Sequence, residues 1–320
     1  MRVVLTRLSA FGDIVHTWPL AAALAAAGHE VGWVVEEPLR PLVEGHPAVH
    51  RVFAVATRRW RRRPFAPATL AEVLLCRGRL RGWGAGAAVD PQGLVKSAAW
   101  AAAARTPQRI GLHRAVRRER LAGLFYTETV RPDAAVAHVV DLNLCLLRPL
   151  GLQHPEGAIP DGRFLLAERA PAAAPPVPPV VVVAGTGQSR KAWPTGRWSE
   201  LATRLANSGL AVVVAWGPGE EPLARAIVGG AGPGPVLAPP TTIRDLAELL
   251  AGAAAVVGGD TGPVHLAASL GVPTVGVFVA TDPRRNGPRG TRARAVAGTP
   301  PDIDAVERSV RASLEVSAVT

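Results

Sequence analysis

Short apolar runs, most of them rich in valine, alternate with longer stretches rich in alanine and leucine along both halves of the chain. The short runs predict buried strands, and the longer stretches predict helices. The predicted strands are 3–6, 31–35, 87–90, 109–112, 180–184, 211–215, 255–258 and 274–278. The predicted helices include 14–27, 94–104, 134–147, 196–208, 242–251, 264–270 and 305–314. Because strands and helices alternate, we expect parallel sheets with right-handed crossovers.

A proline-rich segment at 170–179 separates the two alternating patterns, and neither a helix nor a strand can continue through it. We therefore predict an α/β protein with two doubly wound, Rossmann-like domains, at 1–160 and 180–300. A linker at 161–179 joins them, and a C-terminal helix lies in 301–320. Ligands of such sheets bind beyond the carboxyl ends of the strands, so the loops there should carry the chemistry. We expect the two domains to face a central cleft.

The positive charge is concentrated in the first half of the chain. Residues 1–150 hold 21 Lys and Arg against 11 Asp and Glu, whereas the remaining residues are almost balanced, and the whole chain carries +11. A one-sided field predicts an anionic partner, such as nucleic acid, anionic lipid or a phosphorylated glycan. Arg58, Arg59, Arg61 and Arg62 flank Trp60, and guanidinium groups bind phosphate or carboxylate well. A solvated surface loop explains this run equally well.

No run of 18 residues lacks a polar residue, so the sequence predicts no membrane-spanning helix. The short apolar N-terminus is typical of a buried strand and not of a signal peptide. Cys76 and Cys145 lie in apolar settings, which indicates core thiols in a reducing, cytoplasmic compartment.

Two loops of the first domain hold candidate reactive groups. Asp13 follows the first strand and is interpreted either as a helix cap or as a general base. The loop 90–97 follows another strand and contains Lys96. Its polar side chains suit either contact with a sugar or a simple turn before a helix.

The loops of the second domain suit a diphosphate. Thr186, Gly187 and Lys191 follow a strand, where small residues expose backbone N–H groups and lysine adds charge. Glu221 either binds a ribose or supplies an acidic first helical turn.

The segment 258–265 runs from a strand into a helix. Thr261 and Gly262 stand at the helix start, where N–H groups and the helix dipole attract anions. His265 suits either a phosphate contact or the core. Asp302 and Asp304 form a D-x-D pattern that helix capping explains, so we expect no metal site.

Six segments carry a resemblance to a known family. They are SAFGDIVHT (9–17), WVVEE (33–37), RRWRR (58–62), DPQGLVKSA (90–98), KAWP (191–194) and DTGPVH (260–265). Together they resemble the heptosyltransferases of lipopolysaccharide core assembly, glycosyltransferase family 9, over nearly the full chain. Within that family, the RRWR and QGLVKS segments are similar to the branch that adds the first heptose.

The resemblance implies a GT-B fold, an inverting transfer from ADP-heptose and no metal cofactor. It implies Asp13 as the catalytic base and Kdo2-lipid A as the acceptor, at an anionic inner-membrane surface on the cytoplasmic side, without nucleic acid. Donor contacts are implied at Thr186, Gly187, Lys191, Glu221, Thr241, Asp260, Thr261, Gly262 and His265. Acceptor contacts are implied at Arg58, Arg59, Arg61, Arg62, Lys96 and Arg118.

Three positions depart from the family pattern. Gly187 stands where a second Thr is expected, and Thr241 where a larger apolar residue would cover the adenine. The loop 279–283 reads VATDP, where Gly-Pro before Thr is usual.

Other functions remain as alternatives. The first is a family member with a different core acceptor, such as the second heptosyltransferase. A binder of nucleic acid or anionic membrane without catalysis would also use the arginines, and would show salt-dependent DNA binding without ADP release. A Rossmann-type epimerase needs G-x-G-x-x-G after the first strand, which the segment 9–13 does not provide.

Overall fold

The computed structural model describes residues 1–167 and 177–315. The chain divides into two compact units, Met1–Ala158 and Ile159–Thr320. Residues 168–176 of the predicted linker, which include most of the proline-rich segment, lie outside the described residues, as do residues 316–320.

The first unit contains a six-stranded parallel sheet. Its strands are β1 (Arg2–Thr6), β2 (Glu30–Glu36), β3 (Val49–Val55), β4 (Ala87–Asp90), β5 (Gln108–Leu112) and β6 (Glu128–Val130). Their order is β3-β2-β1-β4-β5-β6, so the chain reverses its direction of growth between β1 and β4. In the centre, Val4 pairs with Gly32 on one side and Ala88 on the other. Loops after β1 and β4 therefore lie next to each other, where such folds bind ligands.

Six α-helices accompany this sheet: α1 (Phe11–Val15), α2 (Trp18–Ala26), α3 (Thr57–Trp60), α4 (Pro67–Gly82), α5 (Val95–Ala103) and α6 (Val139–Leu144). Short 3-10 helices span Glu37–Leu42, Arg120–Phe125 and Cys145–Leu150. The helix predicted at 14–27 is wrong as a single element, because it is divided into α1 and α2. Pro19 lies in the first turn of α2, where its missing N–H costs no hydrogen bond, so a new helix begins there.

The second unit repeats the architecture. Its strands are β7 (Val180–Val183), β8 (Val212–Ala215), β9 (Val236–Leu237), β10 (Ala255–Gly259), β11 (Thr274–Phe278) and β12 (Ala293–Ala297), in the order β12-β11-β10-β7-β8-β9. Its helices are α7 (Thr195–Asn207), α8 (Glu221–Gly230), α9 (Ile243–Ala251), α10 (Gly262–Ser269), α11 (Pro283–Asn286) and α12 (Ile303–Glu315). All pairings are parallel. The predicted doubly wound α/β architecture is confirmed in both units.

The eight strands that the sequence predicts are all present, and the four that it misses are all edge strands. These are β3 and β6 in one sheet and β9 and β12 in the other. An edge strand pairs on one side only and needs less apolar sequence. In β12, for example, every residue is at least partly exposed, so no continuous apolar run marks it.

A tryptophan pair in the core and a cap on α12 stabilise the second unit. Trp193 and Trp198 meet edge to face at 4.7 Å between ring centroids, inside the core that α7 and α12 cover. The Asp302 carboxylate accepts a hydrogen bond from the Ala305 N–H at 3.1 Å. This bond caps α12, as predicted for the first aspartate of the D-x-D pattern.

The ring of Tyr126 leaves no room for a side chain at Gly111 of β5. A Cβ at Gly111 would lie 2.3 Å from the ring of Tyr126, whereas a Cβ at Gly78 in α4 would meet nothing within 4 Å. We expect Gly111→Ala to lower the free energy of unfolding by about 1–3 kcal/mol, because the ring must move. Gly78→Ala should raise it by about 0.5–1 kcal/mol. Urea unfolding followed by circular dichroism measures both changes, and equal effects would contradict the packing described here.

Candidate active site

A buried arginine organises the loops beyond β1 and β4. The Arg7 side chain is 2% exposed. Its Nη1 donates to the Pro91 carbonyl at 3.0 Å and its Nε to the Asp13 carbonyl at 3.3 Å. Burial lowers the pKa of this guanidinium, and the nearby Asp13 carboxylate opposes that change. Since a buried charge must be paired, Arg7 fixes the position of α1 against the loop after β4.

The Asp13 carboxylate lies between two guanidinium groups. Oδ1 is 3.4 Å from Arg7 Nη2, and Oδ2 is 3.5 Å from Arg118 Nη2. Oδ2 also accepts from the Ala10 N–H at 3.2 Å. Ala10 is the N-cap residue of α1 and Asp13 is the third residue of the helix. The bond from the Ala10 N–H to the Asp13 carboxylate therefore stabilises the first turn. The side chain remains 18% exposed, so capping and a chemical role are compatible.

Polar contacts join the loop after β1 to the loop after β4. Gln92 Oε1 accepts from the Leu8 N–H at 2.8 Å, and Lys96 Nζ donates to Ser9 Oγ at 3.3 Å. Burial lowers the pKa of Lys96, the Glu36 carboxylate opposes this, and the positive charge of Arg58 adds to it. The Lys96 ammonium is therefore close enough to the arginine-rich α3 to be influenced by its charge.

Asp90 is a buried site residue whose role the sequence did not reveal. It is fully buried at the end of β4. Its carboxylate accepts from Tyr126 Oη at 2.7 Å, from Ser97 Oγ at 2.8 Å and from two backbone N–H groups. Burial raises the pKa of this carboxyl, and the hydrogen bonds oppose the increase. The network therefore holds the loop after β4 and the start of α5, which carries Lys96.

The arginine run divides into paired and solvent-facing groups. Arg59 Nη2 lies 2.8 Å from the Glu72 carboxylate. Trp60 is buried, with its ring centroid 6.1 Å from that of Trp100 and the two rings tilted by 38°. Its Nε1 donates to the Glu72 carboxylate at 2.7 Å. The side chains of Arg58, Arg61 and Arg62 are exposed. Trp60 thus anchors α3 and leaves these three guanidinium groups accessible to an anion.

In the second unit, the Asp260 carboxylate joins three loops. Oδ2 accepts from Lys191 Nζ and from Thr281 Oγ1, each at 2.7 Å, and Oδ1 lies 3.7 Å from His265 Nε2. Burial acts to raise the pKa of Asp260, but its contacts with His265, Lys191 and Thr281 outweigh burial and hold that pKa well below its usual range. The structure therefore brings together three of the predicted donor residues and adds Thr281.

The other predicted residues near this cluster occupy the expected loops. Thr186 Oγ1 donates to the Gln188 carbonyl at 2.7 Å within the loop after β7. Gly187 is exposed in the same loop. Thr261 is the N-cap residue of α10, and Gly262 begins the helix. The start of α10 therefore directly follows the Asp260 cluster in the chain.

Glu221 and Thr241 lie outside the Asp260 contacts. Glu221 begins α8 and pairs with Arg225 at 2.6 Å, as an acidic first helical turn does. Thr241 is half-buried in the loop before α9. Glu220, which sequence reasoning missed, accepts from the Gly217 N–H at 2.9 Å, and a Cβ at Gly185 would meet its carboxylate. Only a glycine at 185 allows this approach.

The described residues contain neither a metal-binding cluster nor a membrane-spanning helix. No group of three or more His, Cys, Asp or Glu side chains is arranged to hold a metal ion. No helix in this part of the chain is long and apolar enough to cross a membrane.

Comparisons with known proteins place this geometry in a family. Residues 75–312 match the family Glycosyltransferase family 9 (heptosyltransferase). Lipopolysaccharide heptosyltransferase 1 of Pseudomonas aeruginosa is 38% identical over 296 residues, which cover 91% of this chain and 82% of that protein. The protein of the same name from Escherichia coli K12 is 35% identical over 289 residues, covering 88% of this chain and 89% of the relative.

Solved structures agree with these matches. An E. coli heptosyltransferase with ADP superposes with a TM-score of 0.84 at 32% identity, covering 98% of this chain and all of that chain. An E. coli heptosyltransferase with ADP-2-deoxy-2-fluoro heptose gives 0.80 at 32% identity, covering 99% of this chain and all of that one. The expected GT-B fold class is confirmed. The chain belongs to glycosyltransferase family 9, the heptosyltransferase family, and is a glycosyltransferase.

Proposed function

We propose that the protein transfers heptose from ADP-L-glycero-β-D-manno-heptose to the Kdo of Kdo2-lipid A, with inversion, as the first heptose of the lipopolysaccharide inner core. Family membership and the two relatives named lipopolysaccharide heptosyltransferase 1 support this proposal. The observation that carries it is the Asp13 carboxylate, held by Arg7 and Arg118 beyond the carboxyl end of β1 and still open to solvent.

Asp13 acts as the general base in this proposal. Its carboxylate takes the proton of the acceptor hydroxyl, whose oxygen attacks the anomeric carbon of the heptose. The new glycosidic bond forms as the bond from that carbon to the diphosphate oxygen breaks, and ADP leaves with the electron pair. The contacts with Arg7 and the Ala10 N–H fix the direction of the carboxylate, so little reorganisation precedes proton transfer.

The second unit, residues 180–300 in the sequence prediction, is the donor domain. Lys191 and the N–H groups at Thr261 and Gly262 provide positive charge for the departing diphosphate, a role that a divalent ion fills in other enzymes. Asp260 orients Lys191 through their 2.7 Å contact. The remaining proposed donor contacts are Thr186, Gly187 and His265 for the diphosphate and sugar, Glu221 for the ribose and Thr241 beside the adenine.

The first unit, residues 1–160 in the sequence prediction, is the acceptor domain. Kdo and lipid A carry carboxylates and phosphates, which guanidinium groups bind bidentately. The proposed contacts are Arg58, Arg59, Arg61, Arg62, Lys96 and Arg118. Arg59 reaches an acceptor only by leaving Glu72, so its contribution should be the smallest of the arginines in this run. We propose that the enzyme lies in the cytoplasm and associates peripherally with the inner membrane. The excess positive charge of residues 1–150 supports this, since basic residues are attracted to anionic lipid.

The choice of acceptor is tested by comparing Kdo2-lipid A with an acceptor that already carries the first heptose. The proposal predicts ADP release and a heptosylated product, seen by mass spectrometry, with Kdo2-lipid A alone. Turnover only with the heptosylated acceptor would instead identify an enzyme of the second step.

Removing the base should reduce turnover without affecting the donor domain. We expect Asp13→Asn to lower kcat about 10²–10⁴-fold, because the acceptor hydroxyl keeps its proton. ADP affinity, measured by calorimetry, should not change. The control is Asp133→Asn, which breaks an exposed ion pair with Arg148 in the same unit and should leave kcat unchanged. Near-normal turnover of Asp13→Asn would remove the assignment.

The solvent-facing arginines should govern acceptor affinity. We expect Arg61→Gln combined with Arg62→Gln to raise KM for Kdo2-lipid A about tenfold or more, since charge-assisted bonds are lost. The KM for ADP-heptose should stay constant. Arg51→Gln, at an exposed residue of β3, is the control. An unchanged acceptor KM in the double variant would mean that the run is only a solvated loop.

The ammonium of Lys191 should contribute to nucleotide binding. We expect Lys191→Met to raise Kd for ADP about tenfold or more, because a charged donor to the diphosphate is lost. Arg294→Met removes an exposed charge on β12 and is the control. Equal ADP affinities of wild type and Lys191→Met in titration calorimetry would refute the proposed contact.

A further inference from the structure

Helix α4 presents an apolar face to solvent. Leu80 on its inner side is buried, with Val73 and Cys76 packed partly against the same core. On the outer side, Leu74 is 63% exposed and Leu75 is 54% exposed. Leu70 is also exposed, and Phe65, just before the helix, is 87% exposed. Positions 70, 71, 74, 75 and 78 form one stripe of the helix, and all are apolar or glycine.

This face is unusual for a surface helix, whose outward side is ordinarily polar. In the first ten residues of α4, only Thr69 and Glu72 are polar. The Glu72 carboxylate is already engaged by Arg59 and by Trp60 Nε1. An exposed apolar patch of this kind is typical of a surface that contacts another protein or a membrane.

The charges around α4 show which kind of apolar environment fits. The segment 57–82 contains eight arginines and one glutamate. The arginines lie before the apolar face, at 58–63, and after it, at Arg77, Arg79 and Arg81. Apolar side chains framed by arginines match the boundary between acyl chains and anionic headgroups.

Three arginines line a groove beside α4. Its volume is about 490 Å³, and its lining includes Arg77, Arg81, Trp100, Arg105 and Phe125. Burial lowers the pKa of Arg81, and the positive charges of Arg105 and Arg77 lower it further. Among the described residues, no carboxylate forms an ion pair with these three guanidinium groups. A lipid phosphate would relieve their mutual repulsion.

We propose that α4, with the Phe65 turn and the adjoining arginine groove, is the element by which this protein docks on an anionic phospholipid membrane. The inference rests on the proposed function, because it names the surface that brings the enzyme to its lipid acceptor. Phe65 and the exposed leucines enter the acyl boundary, and Arg77, Arg81 and Arg105 bind lipid phosphates. The same positive charge disfavours a second copy of this chain as the occupant, since two such surfaces repel each other.

Vesicle flotation of the full chain tests the proposal. The vesicles contain phosphatidylethanolamine with phosphatidylglycerol, and vesicles of phosphatidylcholine alone serve for comparison. We expect the wild type to float with the anionic vesicles only. The triple variant Leu70→Gln, Leu74→Gln, Leu75→Gln should bind about tenfold more weakly or worse. Val236→Gln, at a residue 54% exposed on β9, should bind like the wild type.

A second variant tests the docking surface without changing the leucines of α4. Arg77→Gln with Arg105→Gln removes two of the three proposed phosphate ligands and leaves the leucines in place. It should weaken binding to anionic vesicles and reduce its salt dependence. Wild-type flotation of either variant would overturn the proposal. A wild-type dimer in sedimentation that the leucine variant abolishes would overturn it in favour of self-association.

An assay in detergent separates this inference from the proposed function. With Kdo2-lipid A dispersed in micelles, the leucine variant should release ADP at the wild-type rate, since no bilayer has to be reached. A loss of turnover in micelles equal to the loss of vesicle binding would overturn the docking role. If the wild type binds anionic vesicles but releases no ADP with this acceptor, the proposed function fails and the docking surface stands.

Discussion

A charge buried at the carboxyl end of a parallel sheet must find its partners in the neighbouring loops, because water cannot reach it. Arg7 meets this requirement in the first unit through the Pro91 carbonyl, the Asp13 carbonyl and the Asp13 carboxylate. Asp260 meets it in the second unit, with the opposite sign, through Lys191, Thr281 and His265. In each unit, a buried ion helps to fix the candidate site loops.

This constraint explains why so few exposed groups are needed for the proposed chemistry. The base candidate Asp13 is oriented by a residue that no substrate needs to touch. Lys191 is likewise held by a buried carboxylate and keeps part of its side chain open to solvent. The exposed surface remains available for the proposed partners: the arginines around α3 for an anionic acceptor, and the apolar, arginine-flanked α4 for a membrane.

Much of the fold could be predicted because central strands of a parallel sheet require continuous apolar runs. The edge strands β3, β6, β9 and β12 do not, and the sequence pattern missed them. The apolar pattern predicted one helix at 14–27, but Pro19 favours the first turn of a new helix, so the segment forms α1 and α2. Motif residues such as Lys191 and Asp260 were found from the sequence, although their contact, 69 positions apart, was not.

The contacts of Arg7, Asp90, Glu220 and Thr281 could not be predicted from the sequence, for a physical reason. Their roles arise from contacts between loops that are distant in the chain, and spacing does not encode such contacts. The sequence carried a weak signal for two of these residues. Arg7 directly follows the buried strand β1 and Asp90 ends the buried strand β4, and a buried charge at either place needs a partner. Thr281 was noticed only as part of a loop that departs from the family pattern.

The most direct test of the account measures ADP release from ADP-heptose with a chelator present, first with both substrates and then with each omitted. The account predicts release only when ADP-heptose and Kdo2-lipid A are both present, at a rate that EDTA does not change. Release without the acceptor, no release with both substrates, or dependence on a divalent ion would contradict it.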